Sequence, residues 1–290
     1  MRVRSQGISF VILPRAAVDS RAVAAHYDDL DELYRSLWGT SVHHGYWITG
    51  KESADEAVAN LTRLVARQAS LKTGDRVCDL GCGYGAAALA WRHEYGARVT
   101  GVTISEKQYR YAKANAAGTA DVDFILGDAL ASGLTSESFD AVTAIESAEH
   151  MPDKQKFFYE AHRLLRSGGR CVAAAWLSRE QPGKWESRQI LESICEEGRL
   201  PSLPSMAEYR ELLERAGFRQ VDCLDLTARV KKTWSICACR VVGRFVTDPA
   251  LRRRLRDPRF TNGIFAKTVF RIWLAYQIGS MRFGLFTAVK

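Results

Sequence analysis

One stretch, Val77-Cys78-Asp79-Leu80-Gly81-Cys82-Gly83-Tyr84-Gly85, leaves few options for the fold around it. An apolar run ends in an aspartate and glycines follow at alternate positions. Ala86-Ala87-Ala88-Leu89-Ala90-Trp91 then has helix-forming composition. Strand, glycine turn and helix, in that order, is the layout of a nucleotide-type cofactor site in an open α/β sheet. Glycine lets the backbone turn sharply and approach a ligand closely, and the helix start offers free N–H groups. The loop has no Gly-Lys-Ser/Thr ending, which excludes the phosphate-cradling NTPase loop. Its Asp79-x-Gly81-x-Gly83-x-Gly85 spacing also departs from the dinucleotide pattern. A carboxylate at the strand end repels a pyrophosphate and suits a cation, such as the ammonium of an amino-acid moiety.

The flanking sequence alternates strands and helices with short links. Amphipathic spacing predicts helices over residues 20–38 and 53–70, the first with Asp28, Asp29, Asp31 and Glu32 facing out. Strands are predicted at 76–79, 97–103, 122–126, 139–145 and 170–176. Helices from Glu106 and Asp153 separate them, the first capped by Ser105, the second closed by Ser167-Gly168-Gly169. A sixth strand at 221–226 and a last one at 283–289 complete the pattern. The alternation predicts a doubly wound, seven-stranded, mostly parallel sheet with right-handed crossovers. Two segments interrupt it, 177–205 and the aromatic-rich 228–280. A structureless loop that long is improbable, so these read as a helical cap over the carboxyl edge of the sheet. The expected organisation is an N-terminal extension (1–19), a cofactor-binding core with its N-terminal helices (20–176), and the rest of the sheet with the cap (177–290). The extension reads as mobile or docked on a partner. A signal peptide is disfavoured, because Gly7 and Ser9 break the apolar run.

The seven cysteines are odd in number and scattered, which suits free thiols in a reducing cytoplasm rather than a disulfide frame. No metal-ligand spacing is present, so no metal site is expected. The net charge of +8 fits a solvated basic surface. A second reading gives Arg229, Lys231, Lys232 and the Arg252 to Arg256 cluster an anionic group on a substrate. No run of 18 apolar residues suggests stable membrane insertion.

Gly127-Asp128 follows the third strand, where an aspartate can accept from an adenine amine. With the Asp79 loop this describes S-adenosylmethionine. The chain resembles the class I methyltransferase family in Asp79-Leu80-Gly81-Cys82-Gly83-Tyr84-Gly85, Gly127-Asp128-Ala129, Ser138-Phe139-Asp140 and Leu164-Leu165-Arg166-Ser167-Gly168-Gly169. Within it, the chain looks most like tocopherol methyltransferases and related small-molecule enzymes. The stretches that carry this are His43-His44-Gly45-Tyr46-Trp47, Gly101-Val102-Thr103-Ile104-Ser105, Glu146 to Lys154, and Leu200-Pro201 with Glu208-Tyr209. The resemblance implies a Rossmann-like methyltransferase fold with S-adenosylmethionine held by Tyr46, Asp79, Gly81, Gly83, Asp128, Ala129 and Glu146. Many members have an acidic residue at the end of strand two for the ribose. Here the ribose contact falls to Thr103, Ser105 or Gln108.

Glu146-Ser147-Ala148-Glu149-His150-Met151 follows strand four, at the edge where ligands bind in such sheets. His150 is the first choice for acceptor contact or base, because a free imidazole titrates near neutrality. Capping the helix after Pro152 is its bland alternative. Glu149 is the second catalytic candidate. His43 to Trp47 reads either as a packed clasp or as a flap over cofactor and acceptor. An Asn/Asp-Pro-Pro-aromatic motif is missing after strand four, which argues against a nucleic-acid substrate. The aromatic cap points to an apolar small-molecule acceptor, and the resemblance implies a phenolic, aromatic or isoprenoid one, carbon methylation favoured over oxygen or nitrogen. A homo-oligomer is left open. The alternatives are a lipid-modifying enzyme of the cyclopropane-synthase type and a cyclase with altered chemistry on the same fold.

Overall fold

A computed structural model describes residues 11–31, 35, 39, 41–247 and 262–290. Seven strands form one sheet: β1 (Arg76–Leu80), β2 (Arg98–Thr103), β3 (Val122–Leu126), β4 (Phe139–Ile145), β5 (Leu165–Ser178), β6 (Arg219–Asp225) and β7 (Met281–Val289). Their order is β3-β2-β1-β4-β5-β7-β6. β1 pairs in parallel with β2 and β4, and β7 runs antiparallel to β5 and β6. The doubly wound, mostly parallel sheet expected from the alternation is therefore present. The strand order reverses between β1 and β4, which opens a crevice at their carboxyl ends.

Helices cover both faces. α1 (Ser20–Asp29) is capped by Asp19, and α2 (Ala54–Gln68) starts in a reciprocal Ser53–Glu56 capping box. α3 (Ala86–Tyr95) follows the glycine loop, and α4 (Glu106–Asn115) is capped by Ser105. α5 (Lys154–Leu164) is capped by Asp153. α6 (Glu192–Glu197), preceded by a π turn, lies in the 177–205 insertion, and α7 (Met206–Arg215) carries a Ser205–Glu208 capping box. α8 (Thr227–Val230), α9 (Lys232–Thr247) and α10 (Asn262–Ile278) make the later cap. One core layer joins Leu61, Trp91 and Val99 to the cap residues Trp234, Ile272 and Tyr276. The other packs Phe157, Phe158 and Tyr209 on the opposite face.

Three expectations change. α1 ends at Asp29, with Leu30 as its C-cap, so the helix expected over 20–38 is interrupted there; Asp31 and Arg35 are again helical, and Glu32, Leu33, Tyr34 and Leu37 lie outside the described residues. Asp28 and Asp31 do not face solvent, because both accept hydrogen bonds from the core domain. β5 starts at Leu165, so Ser167-Gly168-Gly169 is not a helix stop. It forms an irregularity inside the strand, where Gly168 takes φ +76° and the pairing with β4 slips between Leu165 and Arg170. Of the extension, the described residues start at 11, and there Ile12 is buried and its carbonyl accepts from Leu203 N of the same chain. The Arg252 to Arg256 cluster and Phe260 lie outside the described residues.

All seven cysteines are free thiols, five of them buried. Among the described residues no helix is long and apolar enough to cross a membrane.

Candidate active site

The crevice between β1 and β4 opens into a cavity of about 950 Å³ measured to its mouth. The glycine loop forms its floor. Gly81 has φ +85°, and a Cβ there would meet Ser147 Cβ at 2.3 Å, so only glycine lets the loop lie against the segment after β4. Gly83 has φ +55° with open space where a Cβ would be, and it lines the cavity. Asp79 at the end of β1 is 2% exposed and accepts from Thr143 Oγ1 at 3.0 Å. Burial pushes its carboxyl up to about 7, against the pull of that hydrogen bond. A buried carboxyl with one neutral partner is suited to receiving a cationic ligand group. Asp128 closes an Asx turn, accepting from Leu130 N at 2.9 Å through one oxygen, and lines the cavity beside Ala129. Thr103 and Gln108 also line it; the Thr103 hydroxyl donates to Gln108 Oε1 at 2.9 Å, which leaves the Gln108 amide N–H groups for the cavity.

Two assigned residues are placed elsewhere. Ser105 does not line the cavity. Its hydroxyl donates to Asp28 Oδ1 at 2.5 Å and accepts from Gln108 N, so it ties α1 to α4. Tyr46 does not line the cavity either; its backbone binds Ala57 and Asn60 of α2 and its ring packs on the core.

A second chamber of about 640 Å³ lies behind the first. Tyr27, Val42, His43, Glu146 and His150 line both and form the doorway. Glu146 follows β4 with φ +52°, a left-handed conformation that costs a glutamate about 1 kcal/mol or more. That turn aims its carboxylate at three donors. His44 N lies 2.5 Å from Oε1, and His44 Nδ1 and Trp176 Nε1 lie 2.9 and 2.7 Å from Oε2. Trp234 Nε1 donates to His44 Nε2 at 2.7 Å. An indole can only donate, so His44 Nε2 is the bare nitrogen and Nδ1–H points at Glu146. Burial works to raise the Glu146 carboxyl, but the His44 ring and the donated hydrogen bonds hold it below its ordinary range. The His43 to Trp47 segment is thus a packed clasp that also walls the site: His43, His44 and Trp47 are buried, and His43 faces both cavities.

His150 Nε2 lies 2.8 Å from the Tyr27 hydroxyl. Burial, and then the nearby His26, push its imidazole down to about 3, so it is neutral. Glu149 faces the second chamber only. Arg229 and Lys232 line neither cavity; both donate to flap carbonyls, of Ile48 and Gly50. Neither side chain therefore faces an occupant of either cavity, and the Arg252 to Arg256 part of that reading lies outside the described residues.

Tyr27, Thr143, Trp176 and Trp234 belong to the site or its support and were marked by no motif, whereas His43 fell within the His43 to Trp47 stretch. Tyr27 meets His150 across 123 positions of chain, and Trp234 meets His44 across 190.

A seven-stranded sheet of this order, with the glycine loop, Asp79 and Asp128 around one cavity, defines a class I S-adenosylmethionine-dependent methyltransferase. The chain belongs to the mycolic acid cyclopropane synthetase family, which it matches over residues 15–242. It is 35% identical over 222 residues to the 27-O-demethylrifamycin SV methyltransferase of Amycolatopsis mediterranei (strain S699), covering 75% of this chain and 80% of that one. It is 28% identical over 292 residues to the chloroplastic tocopherol O-methyltransferase of Arabidopsis thaliana, covering 93% and 82%. Among solved structures, the cyclase SpnF superposes with a TM-score of 0.81 at 26% identity, over 96% of this chain and 98% of that one. The mycolic acid cyclopropane synthase CmaA1, solved with SAH and CTAB, shares the fold with a TM-score of 0.81 at 21% identity, over 92% and 97%. The resemblance to tocopherol methyltransferases, the fold class and the cofactor read from the sequence agree with these relatives.

Proposed function

We propose that this methyltransferase acts on an apolar phenolic, aromatic or isoprenoid metabolite and transfers the methyl group to a hydroxyl oxygen. The observation that carries this is the Tyr27–His150 pair at the doorway between the donor cavity and the aromatic-walled chamber. The pair lines both cavities, so an acceptor in the chamber meets the donor cavity beside it. The preference for oxygen over the carbon acceptor expected from the sequence rests on this proton-accepting pair and on the names of the relatives above.

S-adenosylmethionine supplies a methyl group on a sulfonium whose positive charge is lost in the transfer. Asp79 holds the amino-acid end, Asp128 the adenine amine, and Gln108 with Thr103 the ribose. Gly81 and Gly83 let the backbone close on the ligand. Glu146 fixes the wall that aligns acceptor and donor, and alignment with exclusion of water is most of what such a displacement needs. Bound in the first cavity, the donor would supply the methyl carbon to the acceptor oxygen and leave with the carbon–sulfur electron pair, and the residues at the doorway would hold that oxygen in line with it. The hydroxyl proton passes to His150 Nε2, directly or through the Tyr27 hydroxyl. A weakly basic imidazole suffices, because the proton leaves an oxygen that is becoming an oxonium.

The test is methyl-labelled donor incubated with a panel of phenols, hydroquinones and terpenoid alcohols, with products read by mass spectrometry. His150→Ala is expected to lower turnover at least 100-fold and to change affinity for the demethylated donor less than threefold. An unchanged rate would move proton transfer elsewhere. Donor binding with no methylated product from any acceptor would favour the cyclase reading, which the likeness to SpnF supports.

A further inference from the structure

One acid in the second chamber has a carboxyl that makes no hydrogen bond. Glu149 is fully buried on the short turn after β4, and neither carboxyl oxygen has a hydrogen-bond partner. The amides of Glu149 itself and of Trp176 are near enough to pull on it, but neither reaches hydrogen-bond geometry. Lys154, buried beside it, turns its ammonium to the carbonyls of Glu149 and Met151, not to the carboxyl. Burying such a group without a partner destabilises a fold, so its retention needs another cause.

The surroundings define what could partner it. Burial first, and then the negative charge of Glu146, push the Glu149 carboxyl well above its ordinary range. Against the opposing pull of the Lys154 ammonium, this favours the protonated carboxyl, which donates a hydrogen bond. Burial holds His43 and His150 neutral as well. The charge of Glu146 is met by three donors, and that of Glu197 by Arg271 and Thr268. The chamber thus offers directional polar contacts between the Trp176 and Trp234 indoles, with no unmatched charge facing an occupant.

The geometry points to an uncharged acceptor that carries two oxygens: one at the Tyr27–His150 doorway, and a second, deeper in the chamber, that takes a hydrogen bond from Glu149. Hydroquinone-, catechol- and hydroxyketone-type ring compounds have this chemistry; diphosphates, carboxylates and amines do not. The inference rests on the methyltransferase reading and adds the acceptor class to it.

The probes are 3- and 4-methoxyphenol against 3- and 4-ethylphenol, which differ by an oxygen in place of a methylene, with 4-hydroxybenzoate as the charged control. Binding is followed by NMR titration on protein saturated with the demethylated donor. At least one methoxyphenol is expected to bind fivefold or more tighter than its ethyl partner, against the order set by hydrophobicity, and the benzoate to bind weakest. Glu149→Gln, which keeps a donor, should preserve the preference. Glu149→Leu should abolish it and raise the Tm, since an apolar side chain replaces an unpartnered acid. Equal binding of the methoxy and ethyl probes, no binding of either, or preference for the benzoate would overturn the inference in the wild type alone. A lowered Tm for both variants with the preference intact would make Glu149 structural. Failure of the demethylated donor to bind would instead remove the methyltransferase reading beneath it.

Discussion

At the scale of the residue, Asp79 ties the site to a measurable proton. Its carboxyl is raised from 3.8 to about 7 in the folded protein without ligand. A raised acid gives stability that is present below the unfolded value and lost as pH rises through the folded one. The unliganded protein should therefore lose stability between about pH 4 and 7, by an amount on the order of a few kcal/mol. Asp79→Asn should flatten that loss. A cationic donor prefers the ionised carboxyl, so its binding at pH 6 should release close to one proton, and at pH 8.5 almost none. Calorimetry in buffers of different ionisation enthalpy reads this directly, and Asp79→Ala should lose the donor altogether. That Asp79, Gly81, Gly83 and Asp128 line one cavity was legible in the sequence, because each stands at a strand end or turn within one local pattern. Ser105 was misread for a physical reason: a hydroxyl after β2 is equally placed to meet a ribose or a carboxylate, and Asp28 lies 77 positions away. Glu146 was legible as a site residue, but its partners and its left-handed backbone were not.

At the scale of the element, α1 is a strap over the donor cavity. Three loops of the core hold it or the turn after it: Tyr27 meets His150 after β4, Asp28 meets Ser105 and Lys107 at the start of α4, and Asp31 meets Tyr84 in the glycine loop. Ser20, Val23 and Tyr27 form part of the cavity wall. Asp28→Ala removes the contact farthest from the chemistry. It should raise the dissociation rate of the demethylated donor about tenfold, with a smaller change in association, as stopped-flow fluorescence can show. The amphipathic spacing revealed that a helix exists here. It could not show that two of the aspartates point inward, because a carboxylate matched by a buried hydroxyl looks in sequence like any solvated one. The irregularity in β5 was hidden similarly: Ser-Gly-Gly stops a helix or bends a strand equally well.

At the scale of the whole molecule, the basic charge and the site are separate. The net charge is +8, yet among the described residues no lysine or arginine lines either chamber. Occupancy should consequently act on stability through mass action at fixed pH, with no contribution from surface cations. The demethylated donor at a hundred times its Kd should add about 2.7 kcal/mol and raise the Tm by about 4 °C, nearly independent of salt. A shift that collapses in half-molar salt would place a surface cation in the site. The alternation of strands and helices was enough to read the sheet, since each link is short and the crossovers have one hand. The cap was readable only as helical, because its packing joins residues far apart in the chain. That packing has an optical consequence. The indoles of Trp176 and Trp234 stand edge-on 5.4 Å apart in the chamber wall, so a molecule entering it changes the emission of both. The protein carries its own lamp beside the pocket whose occupant is sought, and a compound library can be screened by its dimming.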